Sequence, residues 1–168
     1  MFSVKPKYRT LFACALLSVA LDQFTKHWVH THFQWGESFP VLNSVFALTY
    51  VRNTGAAFGL FHRAPPSFRE PFFLAVPFLA LGVIAVLFSK LREGQSWSAI
   101  ALSLIVGGAV GNLIDRVRFG YVIDFLDVHW KEVYHWPAFN VADSCIVAGV
   151  AILFILSLNK PASFQTSH

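Results

Sequence analysis

The sequence predicts an all-α integral membrane fold: four transmembrane helices with a small antiparallel β-sheet and a short interfacial helix on the outer side. Three observations carry this prediction. Of 168 residues, 55% are hydrophobic and only 13% charged, well outside the average for soluble domains. Apolar runs long enough to cross a hydrocarbon core of about 30 Å recur along the chain. Between the first two, segment 33–70 changes character, alternating Val, Phe, Tyr and Thr with a two-residue period. One membrane domain over 1–160 accounts for the pattern, and residues 161–168 read as a disordered tail.

In chain order, the basic residues Lys5, Lys7 and Arg9 precede an apolar run that continues past Asp22 and Lys26 toward His30. A basic start before an apolar run resembles a signal peptide, but no small-residue cleavage site stands out, so the run reads as a retained first helix. Asp22 and Lys26 sit four apart with the acid first, the order an intrahelical ion pair prefers. Two readings stay open for them: an interfacial pair that orients the helix end, or a brace for a functional site.

Next, residues 38–53 read as a short antiparallel sheet with a turn at Asn43-Ser44, and Asn53-Thr54-Gly55 is a second turn. The small residues and Phe that follow fit a short helix lying in the interface, closed by Pro65-Pro66. The uncharged run 71–89 is the second span, 95–114 the third, and 133–159 contains the fourth. If four helices alternate, Lys5, Lys7, Arg9, Lys90, Arg92 and Lys160 share one side, which the positive-inside rule makes the cytoplasm. Both termini are then inside, although Arg52, Arg63, Arg69, Arg116, Arg118 and Lys131 make the bias imperfect.

The net charge of +4 invites a nucleic-acid reading, but no basic run exists, and no nucleic acid is expected. Cys14 and Cys145 fall toward opposite membrane faces, whereas bridged Cα atoms lie within about 7 Å, so no disulfide is expected.

The chemistry gathers in 107–143. Ionisable groups at membrane depth are costly, so each is by default a functional hypothesis. Gly107, Gly108 and Gly111 permit close helix approach, while Asn112, Asp115 and Arg116 share one helical face. A packing seam with a snorkelling Arg explains the glycines but explains Asn112 and Asp115 less well. In 121–130, Val122, Asp124, Leu126 and Val128 alternate onto one side, so the carboxyl of Asp124 has apolar neighbours that should raise its pKa. Asp127 falls on the opposite, more solvated face. Asn140 and Asp143 stand at the head of the last apolar run, where an acid is also favoured by the helix dipole.

Two neighbouring carboxyls make chemical sense together, because like charges at close range cannot both ionise. One stays an acid and hydrogen-bonds a carbonyl while the other takes a proton from water. No nucleophilic Ser or Lys with a partner stands out, nor does an HExxH or clustered Cys/His site, so neither metal nor cofactor is expected. A proton-coupled transporter and a non-catalytic scaffold are the rival readings. The acids gather at one face and no inverted repeat is visible, which disfavours the transporter.

Five stretches now fall together: DQFTK (22–26), VRNTGAAFG (51–59), GGAVGNLIDR (107–116), GYVIDF (120–125) and FNVADS (139–144). In this order they resemble the lipoprotein signal peptidase family, or signal peptidase II, the bacterial membrane aspartyl proteases. The resemblance implies a peptidase that removes the signal peptide of prolipoproteins just before a diacylglyceryl-modified cysteine. It implies Asp124 and Asp143 as the catalytic pair, with Asn53, Gly55, Asn112, Arg116 and Asn140 around the substrate. Asp22, Lys26 and Asp115 match polar positions with supporting roles. It further implies a multi-pass protein of the bacterial inner membrane whose site faces the periplasm. Its partners are then prolipoprotein substrates and membrane lipid, and a monomer is expected.

Overall fold

The computed structural model describes residues 5–55, 64–131 and 133–159. The chain runs α1 (Pro6–His32), β1 (Ser38–Leu42), β2 (Phe46–Asn53), α2 (Pro66–Ser89), α3 (Ser96–Phe119), β3 (Val122–Trp130), β4 (Tyr134–His135) and α4 (Val141–Leu158). It is mostly helical with a small antiparallel sheet, as the patterning implies. The interfacial helix expected after Gly55 and the tail 161–168 lie outside the described residues.

Among the described residues, three helices, α2, α3 and α4, are long and apolar enough to cross a membrane by length and composition. Their outward faces carry large apolar side chains such as Leu79, Val83 and Phe154, which would be untenable in water. In α1 the buried residues are Ser18, Asp22, Lys26 and Val29 while Phe12, Leu16 and Phe24 face outward. That stripe inverts the amphipathicity of a helix in a water-soluble protein, where the polar face looks out.

Helix ends differ from the sequence expectation for local reasons. α2 begins at Pro66 instead of residue 71, because a first-turn proline has no N–H to satisfy, and Pro71 and Pro77 are carried inside it. α3 continues past residue 114 through Asp115 and Arg116 and stops where Gly120 takes the left-handed conformation, φ 77°. α4 starts only at Val141, since 134–139 is drawn into pairing with β3. α3 is the central helix, packed on α1, α4 and α2. Its glycines set the spacing: a Cβ at Gly107 would run into Ser18 of α1, and one at Gly108 into the Ala142 carbonyl of α4. Lys7, at the start of α1, donates to the Ser89 and Leu91 carbonyls at 3.1 and 2.8 Å, so that helix begins beside the α2–α3 connection.

The strands form one antiparallel sheet in the order β1-β2-β3-β4, with the β1–β2 turn at Asn43-Ser44, where Ser44 has φ 65°. β2 carries a bulge: Leu48 pairs with Leu126 but Val51 with Asp124, three residues against two. The extra residue reverses the parity of everything after it. Asn53, opposite Val122, thereby lands on the same face as Asp124; without the bulge it would point away. The other face of β3 packs Ile123 and Phe125 with Val29 and Tyr50. Both faces of β3 are therefore covered at 122–125, so a half-exposed strand is found only toward its end.

Candidate active site

Asp124 is the third residue of β3, with β2 on one side and 136–140 on the other. Phe139 pairs with Leu126 through bonds of 2.8 and 3.1 Å, which carries Asn140 alongside Asp124. Both oxygens of Asp124 are occupied: Asn140 Nδ2 donates to Oδ1 at 2.7 Å and Asn53 Nδ2 to Oδ2 at 2.9 Å. Burial pushes this carboxyl up, and the charge of Asp143 pushes it further. The bonds from Asn53 and Asn140 and the charge of Lys26 oppose the rise only in part, leaving Asp124 at about 7. The rise expected from apolar neighbours is therefore present, with a second acid adding to it.

Asp143 is the third residue of α4. Asn140 caps that helix, accepting from the Asp143 N–H at 2.9 Å, while Asp143 Oδ2 accepts from the Asn140 N–H at 3.3 Å, a reciprocal capping box. The other oxygen accepts from Asn112 Nδ2 at 2.7 Å. Asp143 is thus both the first-turn acid that a helix dipole favours and a side chain facing the cavity. Asn112 and Asn140 join at 3.1 Å, so two amides form a chain between the acids.

Behind them lies a buried cation. Lys26 Nζ meets Asp22 at 2.9 Å, Asp115 at 3.0 Å and Asn112 Oδ1 at 2.8 Å, using all three of its donors. Each acid then grips a backbone N–H: Asp22 holds that of Ala142 at 2.9 Å and Asp115 that of Ile123 at 3.0 Å. Those two N–H groups adjoin Asp143 and Asp124. One ammonium therefore ties together the two segments bearing the acids, and the intrahelical pair with Asp22 is part of that cluster.

A cavity of about 660 Å³ opens in front of the pair, lined by Asn53, Gly55, Asn112, Arg116, Asp124 and Asp143 among others. Gly55 donates to Asn53 Oδ1 at 3.0 Å, which aims the Asn53 amide, and Arg116 donates to the Gly55 carbonyl at 3.3 Å while stacking over Phe73. Asn140, Asp22, Lys26 and Asp115 stand in the cluster behind this cavity.

A family model described as "Signal peptidase (SPase) II" matches residues 14–159. The chain belongs to the signal peptidase II family. It is 55% identical over 152 residues to a lipoprotein signal peptidase of Geobacter sulfurreducens, covering 90% of this chain and 93% of that one. The lipoprotein signal peptidase of Geobacter metallireducens is 51% identical, covering 89% and 91%. A solved structure described as "Bacterial membrane enzyme structure by the in meso method at 2.3 A resolution" superposes with a TM-score of 0.79 at 33% identity, covering 95% and 93%. As a signal peptidase II family member the chain is a protease and a membrane protein, and the cavity is its candidate active site.

Sequence reasoning passed over several contributors. Gln23 bonds Asp115 at 3.0 Å and the Gly111 carbonyl at 3.2 Å, although its place beside Asp22 was the available signal. Trp136, Pro137 and Ala138 form a cavity wall that no periodicity marks. Asp127 is not a freely solvated acid: His135 Nδ1 lies 3.0 Å from it.

Proposed function

We propose that Asp124 and Asp143 are the catalytic pair with which this signal peptidase removes the signal peptide of prolipoproteins, N-terminal to the lipid-modified cysteine. The observation that carries the reading is the joint setting of the two acids: one cavity, one amide chain between them, and Asp124 raised to about 7 by burial and by Asp143. Raised to about 7, Asp124 keeps a proton at and below neutrality beside the second carboxyl, so the pair offers one acid. The protonated member hydrogen-bonds the scissile carbonyl oxygen, while the ionised member takes a proton from water as the water oxygen attacks the carbon. The carbonyl oxygen takes the hydrogen-bonded proton as the tetrahedral diol forms. The diol collapses when the carboxyl that received the water proton delivers it to the departing amine, while the other carboxylate recovers its proton from a diol hydroxyl. No covalent enzyme intermediate forms.

Arg116, Asn53, Gly55, Asn112 and Asn140 serve the substrate. The guanidinium of Arg116 and the Asn side chains offer donors toward the peptide backbone and the developing oxyanion. Asp22, Lys26 and Asp115 act from behind, fixing the backbone on which the acids ride.

We infer four transmembrane helices, with α1 as the additional span. Its 27 residues extend about 40 Å, and Phe12, Leu16 and Phe24 face outward as lipid-facing side chains do. Lys5, Lys7, Arg9, Lys90 and Arg92 at the end away from the sheet support a cytoplasmic assignment for that end. At the sheet end, exposed Trp28, Trp35, Trp130 and Tyr134 fit an interfacial aromatic belt. The pair then faces the periplasmic side of the bacterial inner membrane. In a monomer the signal segment lies against the helices, and the substrate's acyl chains stay in lipid.

The test is cleavage of a diacylglyceryl-modified prolipoprotein peptide by purified protein. Asp124→Asn and Asp143→Asn are each expected to abolish release of the signal peptide with the fold retained. Near-normal cleavage by either variant would overturn the assignment.

A further inference from the structure

The hairpin that follows Asp124 carries a second constellation, one with no part in peptide hydrolysis. Asp127 and His129 are two apart on β3 and so share a face, and His135 of β4 is the direct cross-strand partner of His129. One ligand atom from each of the three side chains lies within 4.8 Å of the other two. His135 Nδ1 is 3.0 Å from Asp127 Oδ1, and His129 Nδ1 is 3.7 Å from Asp127 Oδ2. The imidazoles stack with centroids 4.8 Å apart.

His129 is the informative member. It is 8% exposed, and its Nδ1 is the one buried side-chain nitrogen or oxygen without a hydrogen-bond partner among the described residues. Leaving such an atom unsatisfied costs about 1–3 kcal/mol, so a buried orphan calls for a reason. Its nitrogen points at a carboxylate too far away to bond and near enough to share a third body.

We propose that Asp127, His129 and His135 bind a zinc-class divalent cation. Tetrahedral coordination at about 2.0–2.2 Å places neighbouring ligand atoms about 3.3–3.5 Å apart. Measured to the single oxygen Asp127 Oδ2, the 3.0 and 3.7 Å separations of His135 and His129 straddle that spacing, and all three ligand atoms stay within 4.8 Å of one another, so a small side-chain rotation closes the set. Two imidazoles and a carboxylate form a donor set of borderline softness that suits Zn²⁺ and Co²⁺ and poorly suits Mg²⁺ or Ca²⁺. A fourth position remains for water, since the His135 side chain is 49% exposed. The site clamps the two-residue β4 onto β3. Residues 136–138, which wall the cavity, follow directly, so the ion orders the rim of the site without touching substrate.

The experiment is a titration of tag-free, metal-stripped full-length protein in detergent, with Zn²⁺ followed by calorimetry and Co²⁺ followed by its visible d–d absorption. One equivalent is expected, with a tetrahedral cobalt spectrum, in the presence of excess Mg²⁺. Losing an outer-sphere partner weakens metal sites by about 10–100-fold, so His135→Ala and Asp127→Asn should each raise Kd by at least about tenfold. His32→Ala, an exposed histidine on α1, should leave Kd unchanged. His135 and Asp127 lie nearer the surface than His129, so the outcome does not depend on whether a His129 variant folds. Absence of saturable binding, or binding that both His135→Ala and Asp127→Asn leave intact, would overturn the proposal.

Discussion

Asp124→Asn should change stability with a sign that depends on pH. In the folded protein the carboxyl titrates at about 7 against an ordinary 3.8, so between those values the folded state holds a proton that the unfolded chain has lost. Stability therefore falls as pH rises through that window. At about 1.36 kcal/mol per pKa unit the loss reaches about 4 kcal/mol above neutrality. Asparagine never ionises and escapes it. Against that gain, both Asp124 oxygens accept amide donors, from Asn140 at 2.7 Å and Asn53 at 2.9 Å. Asparagine supplies only one acceptor, so an N–H faces an N–H at a cost of about 1–3 kcal/mol. The variant should thus be less stable than the parent by about 1–3 kcal/mol near pH 4 and more stable by about the same amount near pH 8, crossing at about pH 5. Tryptophan-monitored unfolding of both proteins in one detergent across this range measures the difference. A pH-independent difference, or a variant less stable throughout, would refute the account of Asp124.

Other outcomes follow from the same geometry. With one proton shared by the pair, kcat/KM should decline as pH rises through about 7, where Asp124 loses it; a profile flat to about pH 9 would count against the acid role. Lys26→Met leaves Asp22 and Asp115 buried without their cation, a change that destabilises by about 3–5 kcal/mol, read as a large drop in thermal midpoint together with lost cleavage. Gly108→Ala drives a methyl into the Ala142 carbonyl and should cost about 1–3 kcal/mol, lowering kcat as Asp143 shifts. Gly82→Ala, with nothing near its Cβ, should do neither.

What the sequence revealed and what it hid divide along the range of the interactions. The Asn43-Ser44 turn, the apolar runs and the shared face of Asn112, Asp115 and Arg116 are encoded within a few residues, and all are found. Spacing alone paired Lys26 with Asp22, whereas its partner Asp115 stands on another helix and no local pattern announces it. The β2 bulge that turns Asn53 toward Asp124 is equally silent, because alternation predicts a strand's faces only while the register is unbroken. Asp143 stands where a helix dipole favours an acid, and its capping box with Asn140 leaves one oxygen free to accept from Asn112. The nearness of His135 to Asp127 and His129 is hidden in the sequence because it depends on a strand only two residues long.

The dual duty of Asn140 has an operational consequence. The amide that closes the first turn of α4 is the same one that steadies Asp124, so fraying of that single helix end disconnects both acids at once. Helix ends open far more readily than whole domains. Thermal inactivation should accordingly run ahead of global melting, and harsh detergents should silence the peptidase while most of its helices remain intact.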